Sequence, residues 1–205
     1  MLLEFLVDSY YLLSCTIILL AIMIVLLYYS RRLDSRELVT IVSLSSLIAL
    51  SRGAFFWVPQ VKPVSALVLV TGSVFGSIPG MLVGILSGFL SNFIFGQGPW
   101  TPFQMFAWGL IGFIGGSLRK ADRVLLPMVV GFLSVLTFYG VLLNFASMLM
   151  MCNELSLQAF VLMELSGFPF DLIHAGSTVV FIYFVWKPYR RKLFRLQTKY
   201  HILKK

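Results

Sequence analysis

The sequence predicts an all-α protein, a polytopic transmembrane helical bundle of one domain, on the strength of three observations. Hydrophobic residues make up 59% of the 205-residue chain, and its mean hydropathy is +0.94. Only 12% of its residues are charged, whereas a soluble domain carries roughly 25%. Apolar stretches long enough to cross, or nearly cross, about 30 Å of hydrocarbon recur along the chain. We therefore expect an integral membrane protein.

Successive apolar stretches predict about seven helices. They cover residues 9–29, 38–58, 64–75, 79–95, 103–118, 125–150 and 172–186. The third stretch is short, and Gly72, Gly76 and Pro79 interrupt its junction with the fourth, so the count is six or seven. We expect residues 9–29 to form a separate N-terminal helix ahead of a core over residues 38–186.

The basic residues predict how the bundle is oriented. Fourteen of the 16 Lys and Arg residues lie after the first and fifth stretches or in the tail, residues 187–205, whereas Arg52 and Lys62 lie on the other side. Cytoplasmic connections are enriched in Lys and Arg, so we expect the tail inside and the N-terminus outside. The segments at 52–62, 96–102 and 151–170 then share the outer face. Contact with anionic lipid, rather than nucleic acid, accounts for the positive charge.

A polar turn separates two apolar helices in the segment SNFIFGQGPWTPFQMFAW. Two glycines and two prolines in residues 96–102 end the helix there. Broken backbone is tolerated at membrane depth only where protein buries it or water reaches it, so Gln97, Trp100 and Gln104 are candidate ligand contacts. Alternatively, Trp100 and Trp108 are anchors at the headgroup level, where tryptophan is common.

The loop SRGAFFWVPQVKPV carries the two outer cations, Arg52 and Lys62, beside Trp57 and Gln60. Ionisable residues at membrane depth are costly and usually have a partner or a function. One interpretation is a ligand with anionic or amide groups. The other is a pair of headgroup contacts, or salt bridges with Glu154, Glu164 or Asp171.

Polar residues inside the apolar stretches are further candidates. Asn92 and Asn144 are able to bind a ligand or, more commonly, a neighbouring helix. His174 lies one helical turn from Asp171, close enough to pair with it, and such a pair is more often structural than catalytic or metal-binding.

Small residues at four-residue spacing predict close helix packing. Such stripes are formed by Ser45, Ala49 and Gly53, by Gly84 with Gly88, and by Gly112 with Gly116. We expect the glycine pairs to pack inside the bundle. The Ser45 stripe docks a separate membrane subunit if it faces lipid.

The sequence contains no motif for catalysis. It lacks a Gly-x-x-x-x-Gly-Lys-Ser/Thr phosphate loop, so this chain is not expected to hydrolyse ATP. Its two histidines, His174 and His201, exclude a His-Glu-x-x-His metal site, and there is no Gly-x-Ser-x-Gly elbow. We expect neither an enzyme nor a metal site, and no disulfide between Cys15 and Cys152.

Two strings carry a family resemblance. They read VKPVSALVLVTGSVFG and GMLVGILSGFLSNFIFGQGPWTPFQMFAWGLIGFIGG. Over residues 38–186 the chain resembles the substrate-specific S-component of energy-coupling factor (ECF) vitamin transporters, and it is most similar to members assigned to cobalamin. The resemblance implies a six-helix core that captures a vitamin from outside. It also implies a membrane coupling subunit, two cytoplasmic ATPase subunits, and toppling of the S-component to release the vitamin.

The resemblance also implies roles for particular residues. Coupling-subunit contact falls to Ser45, Ala49 and Gly53, with serine where the family more often has alanine. The predicted binding set, from the residues and the resemblance together, is Arg52, Trp57, Gln60, Lys62, Asn92, Gln97, Trp100, Gln104 and Asn144. Aromatic walls and amide side chains suit a corrin, and cobalamin would be transported substrate, not a cofactor, without coordination by His174.

Three function classes remain open for this chain. The first is the binding subunit of a vitamin importer, for cobalamin or for another vitamin or nucleoside-like micronutrient. The second is a self-sufficient carrier or channel, although the helices show no acidic relay or inverted repeat. The third, a membrane enzyme, is disfavoured because no catalytic set is present.

Overall fold

Helices account for nearly all of the residues described by the computed structural model, which are residues 2–30, 32–152 and 155–203, with backbone alone at 2–11, 27 and 30. The helices are α1 (Leu2–Ser30), α2 (Ser35–Ala54), α3 (Val64–Phe75), α4 (Ser77–Phe95), α5 (Thr101–Gly115), α6 (Leu125–Ser134), α7 (Val141–Met151) and α8 (Leu157–Tyr200). A 3₁₀ segment, Gly116–Lys120, extends α5, and a π-helical turn, Val135–Gly140, joins α6 and α7 into one rod. The predicted all-α bundle is confirmed over these ranges.

Four helical rods within the described ranges are long and apolar enough to cross a membrane. They are α2, α4, the α6–α7 rod Leu125–Met151, and α8. In contrast, α3 has 12 residues and spans only about 18 Å. Every α3 residue except Leu67 is buried, against α4, α5 and α8. Apart from the half-buried Leu67, this helix is covered by protein, so it need not match the thickness of the bilayer.

The last helix is much longer than the apolar stretch at 172–186. It has 44 residues, begins after a cap in which the Ser156 side chain accepts a bond from the Ala159 amide, and contains Pro169 and Pro188. The predicted connection over residues 151–170 is therefore wrong, because helix resumes at Leu157. The polar residues that ended the hydropathy pattern lie within the helix. The tail is likewise helical as far as Tyr200, and residues 204 and 205 lie outside the described part.

Glycines bring α4 and α5 into close contact. A Cβ atom at Gly112 would collide with the carbonyl oxygen of Gly80, and one at Gly84 would collide with that of Trp108. Gly88 in turn lies against the Met105 backbone. The glycine pairs therefore pack inside the bundle, as the sequence predicted.

The small-residue stripe of α2 also faces inward. Ser45 is fully buried, and its hydroxyl donates to the carbonyl oxygens of Ile41 (2.8 Å) and Val83 (3.4 Å). Ala49 is buried as well, whereas Gly53 is half-buried beside Ile94. Two residues of the stripe are thus covered by this chain's own helices, so its contact with a coupling subunit stays a prediction.

The N-terminal helix lies on one flank of the bundle, against α5 and α7. Ile22 of α1 is buried, and the Cys15 thiol lies 3.8 Å from the carbonyl oxygen of Pro99. Both Cys15 and Cys152 are free thiols. The additional helix therefore extends along the bundle to the turn that precedes α5.

Candidate ligand-binding site

The loops at residues 55–63 and 96–100 lie at the same end of the bundle. Since α2 and α4 both end there while α3 and α5 begin there, the four helices place their terminal residues side by side. The Phe56 and Phe95 rings, one from each region, have centroids 5.3 Å apart. Polar residues in the terminal turns of these helices are consequently brought together beneath the loops.

Arg52 is a buried cation in the last turn of α2, with 3% of its surface exposed. Its Nη1 donates to Ser91 Oγ and to Asn92 Oδ1, each at 2.7 Å. The guanidinium also lies 4.1 Å from the Phe95 ring centroid and 5.1 Å from that of Trp108. Hydrogen bonds to neutral acceptors and contact with aromatic faces therefore stabilise this charge.

Asn92 connects Arg52 to α5. Its Nδ2 donates to Thr101 Oγ1 at 3.0 Å and to Gln104 Oε1 at 2.8 Å, and Gln104 Nε2 in turn donates to the Tyr139 hydroxyl at 3.3 Å. Asn92 and Gln104 are both buried. The side chains thus form one continuous chain of hydrogen bonds from α2 to the π-helical turn.

Aromatic residues continue this chain toward α3 and α8. Trp108 Nε1 donates to Ser65 Oγ at 3.1 Å, and Ser65 Oγ lies 3.1 Å from His174 Nε2. The Tyr139 ring packs between Trp108 and His174, with centroids 5.2 and 4.6 Å away. The expected pairing of His174 with Asp171 is wrong, because the ring faces α3. Trp108 is fully buried, so it is not an interfacial anchor either.

The turn before α5 is fixed by Gln97. Its Oε1 accepts a bond from the Thr101 hydroxyl at 3.1 Å, and its Nε2 donates to the carbonyl oxygen of Phe89 at 3.0 Å. Trp100 lies over Gly98 and is 37% exposed. Gln97 therefore joins the turn to both helices, and Trp100 remains accessible at its surface.

Lys62 belongs to the other loop and approaches the same ring as Arg52. Its Nζ lies 5.4 Å from the Phe95 centroid. Burial, followed by the positive charge of Arg52, lowers the pKa of Lys62 to about 8.

The same loop carries Gln60 and Trp57. Gln60 has a left-handed backbone (φ 59°), and its carbonyl oxygen accepts a hydrogen bond from Ser177 Oγ at 3.4 Å. The Trp57 side chain is 87% exposed.

Asn144 lies in a separate cluster between α7 and α8. Its Nδ2 donates to Asp171 Oδ2 at 2.9 Å and to Glu164 Oε2 at 3.3 Å. The alternative of salt bridges from these two acids to Arg52 or Lys62 is wrong, because both carboxylates bind Asn144 instead. Glu154, the third suggested partner, lies outside the described residues.

The structure therefore joins only part of the predicted set. Arg52, Asn92 and Gln104 are joined by hydrogen bonds in one buried set, which we call the polar network and which also contains Ser91, Thr101 and Tyr139. Gln97 and Lys62 adjoin it through Thr101 and Phe95. Trp57, Gln60 and Trp100 lie on the loops, and Asn144 lies elsewhere.

Sequence reasoning missed several members of the polar network. These are Ser91, Thr101 and Tyr139, and Ser65, which bonds Trp108 and His174 beside the network, was missed as well. Serine, threonine and tyrosine are common in membrane helices, where a hydroxyl often bonds to its own backbone, as Thr71 does to Leu67. No local signal separates those residues from the ones that cross between helices.

The polar network brings hydrogen-bonding and aromatic groups together. It combines amide and hydroxyl groups with one cation and the rings of Phe95, Trp108 and Tyr139, which suits a planar ligand with polar edges. Among the described residues, no three His, Cys, Asp or Glu side chains come together as metal ligands.

Comparison with known proteins gives one result. A family model described as "ECF-type riboflavin transporter, S component" matches residues 37–191 of the chain. Searches of curated proteins and of solved structures found no match. The matched range begins in the first turn of α2 and ends in α8, so it contains the polar network and leaves α1 outside.

Proposed function

Because the chain belongs to the family of ECF-type riboflavin transporter S components, we propose that it binds riboflavin for uptake. The family establishes a substrate-binding membrane subunit of an ECF transporter, which is a multi-pass membrane protein of a transport system. The assignment to cobalamin is not supported, since the description of the family model gives riboflavin. Riboflavin therefore replaces cobalamin as the proposed ligand.

The observation that carries this proposal is the buried polar network beneath the two loops. Riboflavin has a flat ring system with carbonyl and imide groups along one edge, and a chain of hydroxyls. The exposed rings of Trp57 and Trp100 on the two loops offer stacking surfaces for the flat part. The amides of Asn92 and Gln104 both donate and accept hydrogen bonds, as do the polar edges of a flavin.

We propose that riboflavin enters from the outer face. This direction rests on the basic residues, which lie mostly at the end opposite to the polar network and are expected in the cytoplasm. Release inside would follow the toppling that the family resemblance implies. Energy would come from a membrane coupling subunit and two ATPase subunits, because the sequence has no phosphate loop of its own.

The predicted coupling contact needs adjustment in this proposal. Gly53 is half-buried and remains available to a partner, whereas Ser45 and Ala49 are covered by α4. The opposite face of α2 exposes Val39 and Leu50, each at 64%. We propose that a coupling subunit meets α2 on this exposed apolar face.

Purified chain in detergent tests the proposal directly. We expect saturable binding of riboflavin with a stoichiometry of one, read from quenching of flavin fluorescence by the neighbouring aromatic rings. Cobalamin and a panel of other vitamins serve as competitors. Tighter binding of cobalamin than of riboflavin would contradict the proposed ligand and restore cobalamin in its place.

The same preparation separates a binding subunit from a self-sufficient carrier. Reconstituted alone in vesicles, the chain is expected to bind riboflavin without accumulating it. Uptake by the chain alone would contradict the dependence on ATPase partners.

A further inference from the structure

A basic cleft lies at the end of the bundle opposite to the polar network, between α8 and the connection from α5 to α6. It has a volume of about 300 Å³, and its lining consists of Asp122, Trp186, Lys187, Arg190, Arg191 and Phe194. Three cations against one carboxylate leave the lining with a net positive charge. The connection itself adds Arg119, Lys120 and Arg123. The basic cleft therefore attracts anions.

Arg190 fixes the shape of the basic cleft. Its Nη1 donates to the carbonyl oxygen of Ala121 at 2.7 Å, and its Nη2 donates to the carbonyl oxygen of Arg119. The same guanidinium lies 4.7 Å from the Trp186 ring centroid and 5.2 Å from that of Phe194. Because these contacts are with carbonyl groups and aromatic faces, they hold the connection against α8 without neutralising the cation.

Exposed apolar side chains begin directly beside the cations on both α6 and α8. On α6, the exposed Leu125 closely follows Arg123, and on α8 the exposed Phe184 closely precedes Lys187. The two helices are packed together, since a Cβ atom at Gly131 of α6 would collide with the side chain of α8 that faces it. A change from cations to exposed apolar side chains on two adjacent membrane helices indicates the boundary between lipid headgroups and acyl chains.

We propose that the basic cleft binds the headgroup of an anionic glycerophospholipid, whose acyl chains lie along the exposed faces of α6 and α8. The phosphodiester supplies the negative charge that Lys187 and Arg191 attract, and its oxygens accept charge-assisted hydrogen bonds. A free phosphate matches the charge as well, but it leaves the adjoining apolar faces uncovered. The site lies at the opposite end from the polar network, so this inference does not rest on riboflavin binding.

Native mass spectrometry of the full chain in uncharged detergent tests the site, with phosphatidylglycerol and phosphatidylcholine of identical acyl chains as probes. We expect phosphatidylglycerol to bind about tenfold more tightly, because each Lys or Arg near an anionic headgroup contributes roughly fivefold before screening by salt. The double variant Lys187→Gln, Arg191→Gln should reduce this ratio to about twofold or less. The matched control, Lys192→Gln with Arg195→Gln, removes the same residue types from exposed positions of α8 outside the lining and should keep the ratio near its original value.

Three results would overturn the proposal. They are equal affinity for the two lipids, an equal loss of the ratio in both double variants, and displacement of phosphatidylglycerol by inorganic phosphate, which would assign the basic cleft to a soluble anion. A second test needs no variant. Phosphatidylglycerol with a photoactivatable group on an acyl chain should crosslink to peptides of the unaltered chain that contain Leu125 or Phe184, and crosslinks confined to other helices would contradict the site.

Discussion

At the scale of single residues, Asn92 holds the polar network together. It uses both ends of its amide, because Oδ1 accepts from Arg52 while Nδ2 donates to Thr101 and Gln104. A carboxylate would lack the donors, and an apolar side chain would lack both functions. Only an amide satisfies a cation on one side and two acceptors on the other.

We therefore expect Asn92→Leu to weaken riboflavin binding at least about tenfold and to lower stability by about 2–4 kcal/mol, because a buried guanidinium loses an acceptor. Flavin fluorescence titration and thermal unfolding in detergent measure the two effects. Gln158→Leu removes an exposed amide of α8 and should change neither. Unaltered affinity in Asn92→Leu would show that the ligand binds elsewhere.

A pH dependence of stability is expected from Lys62. Burial, followed by the positive charge of Arg52, lowers the pKa of Lys62 to about 8 in the folded protein, against about 10.4 in the unfolded chain. The unfolded chain binds more protons in this interval, so the free energy of unfolding should rise as the pH increases from about 8 to about 10. Thermal unfolding of the unchanged chain and of Lys62→Gln in detergent over that range measures the effect. A rise of equal size in Lys62→Gln would assign it to another group.

At the scale of helices, the closest contact joins α4 to α5. Gly80 and Gly112 face each other so closely that a Cβ atom on either would meet the carbonyl oxygen of the other. The same two helices meet again near the polar network, where Gly88 of α4 lies against the Met105 backbone of α5. Glycine contacts therefore recur along the whole α4–α5 pair.

Gly112→Ala is expected to destabilise the protein by about 1–3 kcal/mol, because the added methyl group meets backbone atoms that have no room to retreat. Gly176→Ala is the matched control, since a Cβ there would meet nothing within 4 Å. At such an open helical position alanine should stabilise by about 0.5–1 kcal/mol. Thermal unfolding in detergent compares the two, and equal changes would contradict the close contact.

At the scale of the whole molecule, the two loops cover one end of the bundle. The bond between Arg52 and Asn92 places the ends of α2 and α4 side by side. The polar network therefore lies near one side of the bundle only. The basic residues at the other end predict that this side is the outer one.

Cysteine labelling of intact cells tests this orientation. With Cys15 and Cys152 replaced by serine, Gln60→Cys and Gln97→Cys should both react with an impermeant maleimide added outside. Lys120→Cys, at the opposite end, should react only after the cells are opened. Labelling of Gln60→Cys and Gln97→Cys from different sides would be incompatible with a single site beneath both loops.

Part of the candidate site could be predicted, because turn-forming residues and charges are visible in a short stretch of sequence. Two glycines and two prolines within residues 96–102 disfavour a continuous helix, so the turn carrying Gln97 was found from sequence. Arg52 and Lys62 stood out as the only cations away from the basic side. The partners of these residues were not predictable, because Ser91 and Tyr139 look like ordinary residues of apolar helices.

The sequence by itself determined that this is a membrane bundle, where most of its helices break, and which end of it is basic. Hydropathy, backbone restriction and charge are the respective signals, and each acts within a few residues. Only the tertiary structure decided which polar side chains meet. His174 faces Ser65 rather than Asp171, and the Ser45 hydroxyl donates to Val83 of α4. The physical reason is that the rotation of each helix follows from packing against residues distant in the chain, which no single stretch encodes.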